Sequence, residues 1–231
     1  MIFFDIDETL FDNFGAQDSA AKKFFGVFPE LRSLFSESNF PQIWADITEK
    51  HLQLFNEHKI PFQQQRRNRI NEIFQKNFSN EEADKIFTVY LGLYEESWLL
   101  FQDAIPCLDA LEHFKLGIIS NGDRNQQRQK LRELNICNRF ETIVISDDIG
   151  VSKPNPEIFQ YACHKAKQDP ENCYYVGDNF CTDAEAAINA GLRGIWLNRN
   201  SQNKDNKRIL QITTLHQLPG QVLTAQPARP V

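Results

Sequence analysis

Apolar residues follow two different rhythms along this chain. Between residues 14 and 101 they recur at spacings of three and four, as in Ile43, Ile47, Leu54 and Phe55, and again in Ile70, Ile73 and Phe74. Gln, Glu, Lys and Asn fill the gaps, and no period-2 segment interrupts them. That spacing predicts a block of four or five amphipathic helices. Ser79-Asn80-Glu81-Glu82 suits a helix start, with a capping side chain followed by acids in the first turn. Beyond residue 101 the rhythm changes. Short apolar runs at 116–119, 142–145, 174–176 and 194–197 read as buried strands, with helical patterns at 124–134, 155–168 and 181–190 between them. This alternation predicts a parallel sheet with helices on both faces and right-handed crossovers.

One more apolar run, Met1-Ile2-Phe3-Phe4, ends in Asp5 and reads as a strand entering a loop. The helical block separates it from the other strands. A connection that long is expected only as a module of its own. The expected fold is therefore α/β: a Rossmann-like core made of residues 1–13 and 102–224, with an inserted all-helical domain at 14–101. The Pro-rich end, 225–231, is expected to be disordered.

Ligands of such sheets bind at the carboxyl ends of the strands. Four predicted strand ends carry polar groups: Asp5-Ile6-Asp7-Glu8-Thr9, Ser120-Asn121-Gly122, Lys153-Pro154, and Gly177-Asp178-Asn179 with Asp183 shortly after. If the strands are neighbours, Asp5, Asp7, Asp178 and Asp183 converge. Two like charges at about 4 Å repel by roughly 4 kcal/mol at an effective dielectric of about 20, so such a cluster calls for a cation. Hard oxygen donors suit Mg²⁺. No His or Cys sits at these strand ends, which argues against zinc. Lys153, the Ser120 hydroxyl and the backbone amides of Asn121 and Gly122 would complete a site shaped for phosphate. A carboxylate nucleophile then splits one difficult displacement into two easier ones. Asp7, two residues beyond Asp5, is placed to act as general acid and base.

These motifs resemble those of the haloacid dehalogenase superfamily of hydrolases, in the branch whose helical cap follows the first motif. DIDETLFD is similar to the first motif, ISNG to the second, SKP to the third and GDNFCTD to the fourth. The resemblance spans nearly the whole chain. It implies Asp5 as nucleophile, Asp7 as acid/base, and phosphate contacts from Ser120, Asn121 and Lys153. It implies a metal held by Asp5, the Asp7 carbonyl and Asp178, with Asp183 and Asn179 behind the ion or joining it. The true dehalogenases lack an acid at the position of Asp7. The stretches VISDDIGVSKPNPEIF, YVGDN and AGLRGIWLNR are similar to phosphatases acting on nucleoside 5′-monophosphates or sugar phosphates. The expectation is an Mg²⁺-dependent phosphatase of a small phosphorylated metabolite. The rivals are a phosphomutase or a 2-haloacid dehalogenase and, from another class, a silent phospho-ligand-binding protein.

Composition changes this picture little. The 231 residues are 41% hydrophobic and 24% charged, ordinary for a soluble globular protein. The net charge of −6, with no long basic run, disfavours a nucleic-acid polymer as partner. The five cysteines form no C-x-x-C pair, which reads as reduced thiols in a cytoplasmic protein. No signal peptide is visible, and no apolar run approaches the roughly 20 residues that span a bilayer. A monomer or homodimer is expected. Of the 19 Phe, many fall between residues 11 and 101. Trp44, Phe55, Phe74, Phe87 and Trp98 read as core. Phe11 and Phe14, beside the first motif, are the candidates for touching a base or sugar. Cys181 and the five His, His58 among them, receive no role.

Overall fold

The computed structural model describes residues 1–57, 59–202 and 209–224, with the side chains of Asn56 and Thr224 left aside. His58 and the tail at 225–231, for which disorder was expected, lie outside the described residues. The chain divides into two compact units. One comprises Met1–Asp12 with Leu99–Val231, and the other is Asn13–Trp98.

The first unit begins with strand β1 (Ile2–Phe4), all three residues fully buried. The chain then forms the helices of the second unit: α1 (Asn13–Val27), α2 (Phe40–Asn56), α3 (Phe62–Phe74) and α4 (Asn80–Glu95). Back in the first unit come α5 (Ala104–Ala110), β2 (Leu116–Ser120), α6 (Arg124–Glu133) and β3 (Thr142–Ile145). Next are α7 (Ser146–Ile149), α8 (Pro156–Lys165), β4 (Tyr174–Gly177) and α9 (Ala186–Asn189). β5 (Arg193–Leu197), β6 (Leu210–Ile212) and α10 (Leu218–Thr224) complete the order.

The six strands form one parallel sheet in the order β3-β2-β1-β4-β5-β6. Parallel strands covered on both faces read as continuous apolar runs, and β1, β2 and β4 are buried throughout. The order puts β1 at the centre. Ile2 pairs with Leu116 on one side and Tyr174 on the other. The connections on the two sides of β1 diverge, which makes its carboxyl end the topological switch point where ligands of such sheets bind.

The helical pattern expected at 181–190 begins instead as a wider π-helical turn, Phe180–Glu185, before α9. Its first amides, on Cys181 and Thr182, both donate to Asn179 Oδ1 at 3.0 Å. Such turns concentrate at functional sites. Two glycines allow this segment to press on the sheet. A Cβ on Gly194 would lie 2.1 Å from the Ala184 carbonyl oxygen, and one on Gly177 would lie 2.4 Å from Asp183 Cγ. Gly194→Ala sets a methyl against backbone that cannot turn aside. It is expected to destabilise the first unit by about 3 kcal/mol, read as a lower urea midpoint at unchanged slope.

The helical unit is built on aromatic packing. Phe24 lies 5.5 Å from Trp44 and 5.8 Å from Tyr90, measured between ring centres, with Phe74 edge-on at 6.2 Å. Trp44, Phe74, Phe87 and Trp98 are buried, as expected of a core, and the half-buried Phe55 packs on Phe62. α4 starts at Ser79 with a reciprocal cap. The Ser79 amide donates to Glu82 Oε2 and the Glu82 amide to Ser79 Oγ.

Candidate active site

Asp5 leaves the end of β1 and its amide donates to the Val176 carbonyl of β4 at 2.9 Å. That bond sets its side chain between the ends of β2 and β4. Asp5, Asp178 and Asp183 each bring a carboxylate oxygen within 4.8 Å of the others. Lys153 is the buried cation of this cluster. Its Nζ lies 2.7 Å from Asp183 Oδ1, 2.9 Å from Asp5 Oδ1 and 2.8 Å from the Tyr175 hydroxyl. Tyr175 donates its own proton to the Ile119 carbonyl at 2.9 Å, so toward Lys153 it accepts. Asp183, 1% exposed, is pinned by the Asn179 amide on its other oxygen.

One ammonium does not balance three carboxylates. Burial, then the charges of Asp5 and Asp183, push the Asp178 carboxyl up to about 8. Burial also raises Asp5 to about 6; the Lys153 ammonium opposes this, and Asp183 and Asp7 add to it. Three carboxylates around one ammonium, two of them pushed up by burial and by their neighbours' charge, leave negative charge that a bound cation would offset. The donors are oxygens only, without His or Cys, and this chemistry fits a small hard divalent ion such as Mg²⁺.

Asp7 stands apart from that cluster. Its Oδ1 accepts from Lys130 Nζ at 2.6 Å and its Oδ2 from Gln127 Nε2 at 2.8 Å. The tight loop that carries it folds back on Ile6, whose carbonyl accepts from the amides of Leu10 and Phe11 at 2.9 Å. Glu8 takes a left-handed conformation at φ 59° within that loop. Arg199 fastens the loop, donating to the Thr9 carbonyl at 2.8 Å while gripping both Asp103 oxygens at 2.9 Å. Burial raises the Asp103 carboxyl, but hydrogen bonds from Arg199, Thr214 and the Leu215 amide outweigh it and hold the group down at about 2.

Several expected groups are engaged otherwise than foreseen. The Asn121 side chain is zipped to the Lys153 backbone, accepting from its amide at 2.8 Å and donating to its carbonyl at 3.0 Å. It thereby holds the lysine segment to the end of β2. The Gly122 amide, expected to face phosphate, donates to Ser146 Oγ at 3.0 Å. Ser120 is 1% exposed, and its hydroxyl accepts from Gln127. Asn179, expected near the ion, is exposed and spends its side-chain oxygen on the π-helical turn. Phe11, expected to touch a base or sugar, is fully buried, because the loop turns it inward beneath Lys130 Nζ, 4.7 Å from the ring centre. Phe14 is 65% exposed and belongs to the helical unit, where it lines a groove of about 760 Å³ with Trp44 and Thr48. Sequence reasoning missed Tyr175, Gln127, Lys130, Asp103 and Arg199. The only signal was a lysine and a glutamine one helical turn apart after the second motif.

A family model for haloacid dehalogenase-like hydrolases matches residues 1–191. The chain belongs to this family. It is a hydrolase, and the relatives it matches by sequence include phosphatases and a nucleotidase. It is 29% identical over 230 residues to the pyrimidine 5′-nucleotidase YjjG of Escherichia coli K12, covering 94% of this chain and 95% of that one. It is 27% identical over 207 residues to human N-acylneuraminate-9-phosphatase, covering 86% and 82%. Among solved structures, the HAD-hydrolase YfnB of Bacillus subtilis, bound to magnesium, superposes with a TM-score of 0.77 at 22% identity over 96% of this chain and 97% of that one. The 2-haloacid dehalogenase of Pseudomonas syringae pv. Tomato gives 0.71 at 25% identity, covering 97% and 98%. These likenesses agree with the parallel α/β architecture expected from the sequence. Among the described residues, no helix is long and apolar enough to cross a membrane.

Proposed function

We propose that this hydrolase is an Mg²⁺-dependent, cytoplasmic phosphatase of small phosphomonoesters. The observation that carries the reading is the carboxylate triad Asp5, Asp178 and Asp183 around buried Lys153, with Asp7 held apart by its own cation. Asp5 and Asp178, with the Asp7 carbonyl, would hold the ion, and Asp183 anchors Lys153 behind them. The bound ion supplies positive charge against the phosphate oxygens. Asp5 attacks phosphorus, and the bond to the leaving oxygen breaks with its electron pair. That oxygen takes a proton from Asp7, which is ion-paired with Lys130 here and acts as the acid once it has bound a proton from water. Asp7, now a carboxylate, removes a proton from water, whose oxygen attacks phosphorus and frees Asp5. The sum is a phosphomonoester and water giving an alcohol and phosphate. Lys153 and the Ser120 hydroxyl complement charge on the phosphoryl oxygens.

The pyrimidine 5′-nucleotidase and the N-acylneuraminate-9-phosphatase among the relatives support a nucleoside 5′-monophosphate or a sugar phosphate as substrate. The insertion of the helical unit between Asp12 and Leu99 supports its role as a cap. The 2-haloacid dehalogenase among the structural likenesses supplies the second reading. Asp7 argues against it, since displacing halide requires no proton on the leaving group. A panel of phosphorylated metabolites with Mg²⁺, scored by inorganic phosphate, is expected to yield at least one good substrate. Chloride release from 2-chloropropionate without phosphate release from any monoester would reverse the assignment.

A further inference from the structure

We infer that Gln127 and Lys130 are positioning residues that fix the Asp7 carboxyl for its acid/base work; the inference rests on the phosphatase reading above. The two side chains stand three residues apart on α6, hence on one helical face. Both are buried, Gln127 at 3% and Lys130 at 2% exposure. A buried ammonium is costly unless paired. Lys130 makes its short ion pair, 2.6 Å, with one Asp7 oxygen, while Gln127 Nε2 takes the other at 2.8 Å. With both oxygens gripped, the carboxyl is held against rotation about its last bond.

The grip has two consequences. It sets a cation against Asp7, whose charge otherwise adds to the repulsion felt by Asp5. It also ties Asp7 to the phosphate side of the site. Gln127 Nε2 lies 2.9 Å from the Asn121 carbonyl and 3.2 Å from Ser120 Oγ as well. Its two hydrogens thus serve three acceptors. The amide therefore links the orientation of the carboxyl to the loop that follows β2. A misplacement of about 1 Å in such a group can cost about 10²-fold in rate.

A positioning role for the acid predicts an effect that depends on the leaving group. 2,4-Dinitrophenolate departs without being protonated, whereas an alkoxide does not. The Mg²⁺-loaded full chain is compared with Lys130→Met, Lys130→Arg and Gln127→Leu on 2,4-dinitrophenyl phosphate and on a simple alkyl phosphate. Lys130→Met is expected to lower kcat on the alkyl phosphate about 10²-fold at nearly unchanged KM. Release of dinitrophenolate in the first turnover should stay within a few-fold of the parent, followed by slow phosphate release as the phosphoenzyme accumulates. Lys130→Arg, which keeps the cation, should recover part of the loss. If Lys130→Met does not fold, Gln127→Leu carries the same contrast. Equal losses of first-turnover leaving-group release on both compounds, or no loss on either, would overturn the positioning role alone. A parent enzyme that releases phosphate from neither compound would overturn the phosphatase reading, and the inference with it.

Discussion

Asp5→Asn is expected to lower phosphate release at least about 10⁴-fold, the scale of losing a covalent nucleophile, while the protein stays folded. An amide oxygen is a poor nucleophile toward phosphorus, and among the described residues no other carboxylate takes the place of Asp5 at the end of β1. Asp183 is pinned by Lys153 and the Asn179 amide. Asp7 is pinned by Lys130 and Gln127. The stability side has the opposite sign. Burial raises the Asp5 carboxyl to about 6, so near neutral pH its charge is a cost to the metal-free fold. Removing that charge should leave the metal-free variant at least as stable as the parent. Steady-state phosphate release and urea midpoints in chelator check the two halves separately. Near-normal turnover would remove Asp5 as the nucleophile. A collapsed midpoint would show that Asp5 serves the fold instead.

The residues legible in the sequence were those whose chemistry contradicts their surroundings. Asp5 and Asp178 are acids at the ends of apolar runs, and Lys153 follows another such run. Such placements predict strand ends and a polar site without knowledge of the pairing. The sheet order then brings them together, because β1 lies between β2 and β4. What stayed hidden depends on burial that only tertiary structure creates. Residues 124–133 read RNQQRQKLRE, and in that string Gln127 and Lys130 look like any solvated pair. Tyr175 sits in an apolar strand and reads as core; its role depends on a hydroxyl aimed at Lys153. Arg199 reaches back 190 residues to the Thr9 carbonyl, a contact no local pattern announces. β6 is three residues long with two of them exposed, too short for a periodic signal. Phe11 stands beside the first motif in sequence, but the loop at Glu8, left-handed at φ 59°, leaves the ring fully buried.

In chelator, the protein is expected to lose stability as pH rises from about 4 to about 8, and Mg²⁺ is expected to cancel that loss. The sign follows from the raised carboxyls. In the unfolded chain Asp titrates near 3.9. In the metal-free fold Asp5 titrates at about 6 and Asp178 at about 8. Between these values the folded state binds more protons than the unfolded state, so stability falls with pH. Below about 4 both states are protonated, and the contribution is present in full. Carboxyls held low act in the other direction but outside this window. Asp103, at about 2, adds stability only above its unfolded value and is already ionised in both states by about pH 5. Lys153 is held up by Asp183 and Asp5 against the effect of its burial, and it stays charged throughout the window. The loss should be on the order of 3 kcal/mol, allowing for the partial exposure of Asp178. Mg²⁺ binds the ionised carboxylates of the folded state and displaces their protons, so its stabilisation grows with pH over the same window. Melting temperatures across this range, in EDTA and in millimolar Mg²⁺, test the claim. Two curves that diverge above about pH 5 are the expected result. Parallel curves, or stability in EDTA that rises through the window, would show that Asp5 and Asp178 do not form a divalent-metal site.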